Sequence, residues 1–306
     1  MENTDQSRTL REAIVKAIVF FDLFDYPLSP YEVWQYLDRP ATLAEVKNIL
    51  NEELDGISDT DGFYFLSSHP EILSARQKKY HFSSLKFKLA RRAVKLFRLV
   101  PFVEMIAVAN IIGAHNLRDG SDIDLFIVTA PRRLWLTRLF CAGLAKVLGW
   151  RPTPSAKRNR ICLSFYVSSD NLDLESLKLN SEDLYFNYWL AGLVPIYDWR
   201  QTYARLIAAN SWLKKCLPNW RELQTNSKSE IKKKPISGWL SAGILNRWEK
   251  KTMAWQLKIM PSALRSLVNV DTRVRADDKI IKLYLVDRRR EFLDKFSERL
   301  DQVLNK

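Results

Sequence analysis

The chain has 306 residues, enough to bury a sizeable core and to hold two or three domains. Its 47% hydrophobic and 27% charged residues are ordinary for a soluble globular protein. Forty-eight lysines and arginines against 35 acids leave a formal net charge of +13, which favours a polyanionic partner, nucleic acid first and an anionic membrane surface second. Cys141, Cys162 and Cys216 are widely spaced inside apolar runs, which excludes a disulfide framework and a cysteine metal motif and reads as buried thiols in a reducing compartment. The acidic, polar N-terminus lacks a signal peptide, and the longest apolar run, Leu134 to Trp150, is broken by Arg138 and Lys146 and too short to span a bilayer. The expectation is a cytoplasmic protein without a transmembrane segment.

Helical periodicity runs over 8–24 through Leu10, Ile14, Ile18 and Phe21. Ser29-Pro30 opens a second helix, and Thr42 with Glu45 forms a capping box for a third. Residues 57–66 read as two short strands about Asp61-Gly62. Three helices and a hairpin describe a winged helix within a first domain, 1–69. Its third helix offers Glu45, Lys47, Asn48 and Glu52 outward, a mixed face that suits docking at least as well as nucleic-acid recognition.

Residues 70–100 form a connecting basic helix carrying Arg76, Lys78, Lys79, Lys86, Lys88, Arg91, Arg92, Lys95 and Arg98. These cations suit phosphate contact, with Tyr80 and Phe82 available for stacking, or else the solvated face of a connector. The stretch 105–128 follows, and its end alternates as a strand, with Ile123, Leu125 and Ile127 on one face and Asp122, Asp124 and Phe126 on the other. Two aspartates two apart point the same way and repel unless a divalent, oxygen-seeking cation neutralises them. A helix at 132–148 begins with Arg132 and Arg133, where a bound phosphate would compensate cations that oppose the helix dipole and solvation would do so almost as well. Residues 160–168 alternate as a further strand, which places Cys162, Ser164 and Tyr166 on one face. Helices are expected from 183 onward, broken at Val194–Asp198, and then at 202–217, 237–260 and 277–304, with a lysine-rich linker at 224–236.

The Ser-Asp-Ile-Asp-Leu-Phe-Ile-Val stretch after a short preceding strand resembles the DNA polymerase beta-like nucleotidyltransferase superfamily. The resemblance implies an α+β fold: an N-terminal winged helix, a small nucleotidyltransferase mixed sheet with flanking helices at 101–180, and a helical C-terminal region, 181–306. It further implies Mg²⁺- or Mn²⁺-dependent transfer of a nucleotidyl group from a nucleoside triphosphate to an acceptor hydroxyl, with Asp122 and Asp124 as metal ligands. The acceptor is left open between nucleic acid, protein and a small molecule. Ala109-Asn110 stands where the superfamily has Gly-Ser, so Asn110 is the expected phosphate contact, with Gly113 as a second candidate and Ser121 beside it. Ser164 occupies the position of the third carboxylate. Arg288, with Arg289 and Lys282, supplies the cations expected on the nucleotide side. The missing third carboxylate and Gly-Ser leave a second reading, a catalytically silent nucleotide- or nucleic-acid-binding regulatory protein.

Overall fold

A computed structural model of the chain describes residues 2–109, 111–153, 155–222 and 242–305. Helix α1 (Glu2–Asp22) buries Ile14, Ile18 and Phe21. α2 (Pro30–Gln35) and α3 (Leu43–Leu50) both start with capping boxes, Ser29 with Glu32 and Thr42 with Glu45. Strands β1 (Ile57–Thr60) and β2 (Phe63–Leu66) pair antiparallel across Asp61-Gly62, both with positive φ (55° and 75°), as a two-residue hairpin turn requires. A bridge from Leu28 to Tyr64 ties the hairpin back to the helices.

Helix α4 (Ile72–Phe97) is locked to this N-terminal unit by its own cations. Arg76 forks onto the Glu32 carboxylate (2.9 and 3.0 Å), and Lys79 donates to the Phe24 carbonyl and to Asp25. Burial acts to raise the Glu32 carboxyl, yet the bound guanidinium holds it below its ordinary range.

The rest of the chain is organised by one mixed sheet. Its strands are β3 (Val103–Val108), β4 (Ile123–Thr129), β5 (Ile161–Ser168), β6 (Val194–Asp198), β7 (Val274–Ala276) and β8 (Ile280–Leu283), in the order β6-β3-β4-β5-β8-β7. β4 and β5 run parallel, joined through α5 (Leu134–Val147) as a parallel pair requires, and the other neighbours are antiparallel. One face carries Ala107, Phe126, Val128 and Phe165 into a core shared with α1, α6 (Leu184–Ala191), α7 (Thr202–Ala209), α8 (Trp212–Cys216) and α11 (Arg289–Leu304). The opposite face carries Ile106, Ile123, Ile127 and Tyr166 into a second core under α4, α5 and α9 (Ala242–Lys258), with the short α10 (Ser262–Arg265) following.

The C-terminal region is therefore mixed rather than helical. Val194–Asp198, expected to be a break, is an edge strand; Pro195 is tolerated there because an edge strand can leave one ladder position undonated. The helix expected over 277–304 begins only at Arg289. Before it, the Asp277 carboxylate accepts from the Lys279 and Ile280 amides (both 2.8 Å), which closes a tight turn and makes 274–283 a hairpin. The helix expected over 202–217 breaks at Asn210, whose side chain leaves the helix axis to bind the Leu172 carbonyl and the Leu174 amide.

Candidate functional site

Asp122 and Asp124 stand at the start of β4, where the strand's alternation aims both at the face that carries Phe126 and Val128. The local fold is tied down on both sides. The Ile123 amide donates to the Arg160 carbonyl (2.8 Å) and the Asn159 amide to the Ser121 carbonyl (3.1 Å), pinning the mouth of β4 to that of β5. The loop before Asp122 hangs on α4: Ser83 donates to the His115 carbonyl and accepts from the Leu117 amide, and the buried Lys86 ammonium donates to the Ser121 carbonyl and to Asn159 Oδ1 (3.1 Å).

Parallel register sets Asp124 beside Cys162. Donor atoms of Asp122, Asp124 and Cys162, all half-buried, lie within 4.8 Å of one another. The Cys162 thiol is within hydrogen-bond reach of the Asp124 carboxylate and lies 3.3 Å from Ser164 Oγ. Burial, followed by the Asp122 charge, pushes the Asp124 carboxyl up to about 7, and burial with Asp124 alongside pushes the Cys162 thiol up as well. Among the described residues no cation hydrogen-bonds to these two carboxylates and thiol, a costly meeting that a divalent ion would relieve.

Asp124 lines a cavity of about 380 Å³, within the usual size range of small-molecule sites. Its floor is aromatic, including Phe165, Trp189 and the stacked pair Tyr185 and Phe292 (5.5 Å between centroids, 5° between planes). Arg118, Ser121, Lys282, Arg288 and Arg289 also line it. These cations differ in availability. All five N–H groups of Arg289 are used, on Asp183 (2.7 Å), the Leu177 carbonyl, Thr272 Oγ1 and Asp287. Lys282 donates to the Thr272 carbonyl (2.6 Å), and its burial lowers the ammonium to about 8. Arg288 is half-exposed and forks onto Glu291 (2.7 Å twice), an exposed pair that a stronger anion can displace. Arg118 is also exposed, 4.0 Å from Asp25.

No family model matches the chain, and no curated protein does.

Of the residues singled out from sequence, Asp122 and Asp124 meet, Ser164 adjoins them through Cys162, and Ser121 and Arg288 border the cavity that Asp124 lines. Asn110 lies outside the described residues, as do Lys232–Lys234 of the linker. Gly113 has φ +86°, and a Cβ there would stand 2.6 Å from the Tyr26 ring, so packing against that ring by itself demands glycine. Tyr166 does not share a face with Cys162. A β-bulge between the Asp124–Cys162 and Phe126–Phe165 pairs turns the remainder of β5 over, so Phe165 joins the site face and Tyr166 enters the opposite core. The start of α5 has no room for a phosphate, because the Glu249 carboxylate of α9 already accepts from the Trp135 and Leu136 amides (2.7 and 3.0 Å). Asp170, Asp173 and Asp277 are engaged with Ser168, Glu175 and the β7–β8 turn, and none of these acids is in the Asp122–Asp124 cluster. Cys162 is the residue that sequence reasoning missed: it read as an inert thiol because its neighbourhood depends on a strand pairing remote in sequence. Its period-2 relation to Ser164 was the available signal.

Proposed function

We propose that the protein is a nucleotidyltransferase-like member of the DNA polymerase beta superfamily that binds a nucleoside triphosphate in the cavity beside Asp122 and Asp124, with residues 1–69 serving as a winged-helix module. The observation that carries this reading is the convergence of the Asp122 and Asp124 carboxylates, the second of which lines a cavity that also presents aromatic rings and an exposed arginine. Both carboxylates suit a hard divalent cation, so Asp122 and Asp124 would hold Mg²⁺ or Mn²⁺, while the softer Cys162 sulfur is a poor match for it. Such an ion supplies charge neutralisation at the phosphates and at the leaving oxygen. Arg288 and Arg118 bind the outer phosphates from the cavity mouth, Ser121 lies beside them, and the Tyr185–Phe292 pair offers a flat surface to the base.

A second reading has its own observation. Where a third carboxylate would complete the set, β5 offers Cys162 and Ser164. A protonated thiol and a hydroxyl are weak ligands and poor bases, which favours a protein that binds nucleotide and transfers it slowly or not at all. Titration of a fluorescent nucleoside triphosphate analogue with and without Mg²⁺ tests nucleotide binding itself. The reading expects Mg²⁺-enhanced affinity that Asp124→Asn removes; an enhancement that survives this substitution would refute it. Transfer of labelled nucleotide to RNA and to protein then separates the two readings, with Cys162→Asp supplying a third carboxylate. Robust wild-type turnover supports the transferase, and turnover confined to Cys162→Asp supports the silent binder.

A further inference from the structure

The three helices that cover the sheet face opposite the cavity carry a large excess of cations over acids. α4, α5 and α9 together contain fourteen lysines and arginines against one acid, Glu249. That excess of thirteen equals the net charge of the whole protein, 48 cations against 35 acids, so the remainder of the chain balances at 34 against 34. The one acid is buried against α5, where it caps the first turn. Arg76, Lys79, Lys86 and Arg138 are engaged within the fold, and the other ten cations of these helices are exposed, so the outward surface of this layer is basic.

The same surface is unusually apolar. α4 lies over β3 and β6, α5 over β5, and α9 against α5, so their outward sides face one way. α9 turns Asn246, Glu249, Met253 and Gln256 inward, and on the opposite side of the helix Trp248 and Trp255 are 49% and 50% exposed, followed by Ile259. Lys250, Lys251 and Lys258 are exposed alongside them. α5 adds Phe140 and Val147, the latter 85% exposed, and the end of α4 adds Leu96 and the following Leu99. Scattered exposed apolar residues need no explanation, but large ones concentrated on one basic face mark an interaction surface.

We infer that this helical layer docks on an anionic lipid bilayer. The alternative polyanion, nucleic acid, would use the cations and could stack on the aromatic rings, but it gains nothing from exposed Val147, Leu96, Leu99 and Ile259. A lipid interface takes both components: indole rings and aliphatic side chains enter the headgroup–acyl boundary, and long basic side chains reach back to the phosphates. Among the described residues no helix is long and apolar enough to cross a membrane, so the attachment is peripheral. The cavity beside Asp124 is lined from the other side of the sheet and stays open when the layer is docked.

The test is co-sedimentation of the full chain with vesicles of phosphatidylcholine alone and of phosphatidylcholine mixed with phosphatidylglycerol. The expected result is binding to the mixed vesicles that weakens as salt is raised, with little binding to the neutral ones. Lys250→Gln, Lys251→Gln and Lys258→Gln together should lower the partition coefficient on the order of a hundredfold, at about fivefold per surface cation. Trp248→Ala with Trp255→Ala should lower it at least about tenfold, from the indole area returned to water. Brominated lipids should quench the fluorescence of the wild type more than that of the double tryptophan variant. All these positions are exposed, so unchanged far-UV circular dichroism and melting would confirm intact folding. Absence of binding to anionic vesicles at low salt overturns the inference, as does equal binding to both vesicle types. Tight oligonucleotide binding without vesicle binding would reassign the surface to nucleic acid. Self-association that the tryptophan variant abolishes, again without vesicle binding, would reassign it to a second copy of the chain.

Discussion

Two clusters of acids each place one carboxylate, Asp287 and Asp124, on the wall of the same cavity, and they are solved in opposite ways. Asp183 and Asp287 are matched by Arg289 and Lys282, and every N–H of the guanidinium has an acceptor. Asp183 also receives the Leu179 and Phe186 amides, so it caps α6 while it anchors the start of α11. Although burial acts to raise it, the Asp287 carboxyl is held below its ordinary range by Arg289, with Lys282 contributing. Asp122 and Asp124, by contrast, have a thiol, each other and, for Asp122, only the charge of the nearby Lys86 ammonium, itself bound to the Ser121 carbonyl and Asn159. The first arrangement is what a fold does with buried charge when the charge only has to be stable. The second leaves a like-charged pair without an ion pair among the described residues, Asp124 standing on the cavity wall, a pattern that structure alone does not reward and that ligand sites use.

Substitutions in the two clusters should have opposite effects on stability. The largest effect is expected from Arg289→Ala, which takes the guanidinium from the buried Asp183 and from Asp287 and should cost about 3–5 kcal/mol in urea or thermal unfolding; a loss below about 1 kcal/mol would mean the network is dispensable. Next comes Glu249→Ala, an acid that, unlike Asp124, has found donors: removing its two amide contacts should cost about 1–2 kcal/mol. Asp124→Asn should act in the other direction, stabilising the metal-free protein by about 1–2 kcal/mol as repulsion and desolvation are relieved. Its pH dependence has a defined sign. A carboxyl raised from 3.8 to about 7 binds its proton more tightly in the folded state, so its contribution is complete below about pH 4 and is lost as pH rises to about 7. The stability difference between Asp124→Asn and wild type should therefore grow over that interval; a flat difference would show that Asp124 is not perturbed. The smallest stability effect belongs to Arg288→Ala, within about 0.5 kcal/mol for an exposed pair. That same change should weaken nucleoside triphosphate binding, and unchanged affinity would remove Arg288 from the site.

What the sequence disclosed and what it hid follow a physical division. Capping boxes at Ser29 and Thr42, the Asp61-Gly62 turn and the alternation through Asp122 and Asp124 are local codes, each readable within a few residues. The hairpin at 274–283 was hidden because its strands span only three and four residues, and the acids of its turn followed by Lys279 and Lys282 mimic the charge order of a helix. Cys162 was hidden because its role depends on parallel register with β4, and the orientation of Tyr166 because a bulge inserts one residue without a marker in the sequence. The basic helix α4 was half legible. Its cations were evident, but contact with Glu32, the Phe24 carbonyl and the Ser121 carbonyl removes Arg76, Lys79 and Lys86 from any external role. Exposed Lys88, Arg91, Arg92 and Lys95 remain.

The central claim, that Asp122 and Asp124 together form a divalent cation site serving a nucleotide pocket, is tested most directly by electron paramagnetic resonance of free Mn²⁺ titrated into the protein without nucleotide. The account predicts that the wild type depletes the free Mn²⁺ signal, that Asp122→Asn and Asp124→Asn each abolish the depletion while melting no lower than wild type, and that excess Mg²⁺ restores the signal by competition. Identical free-Mn²⁺ curves for wild type and the two variants would contradict it.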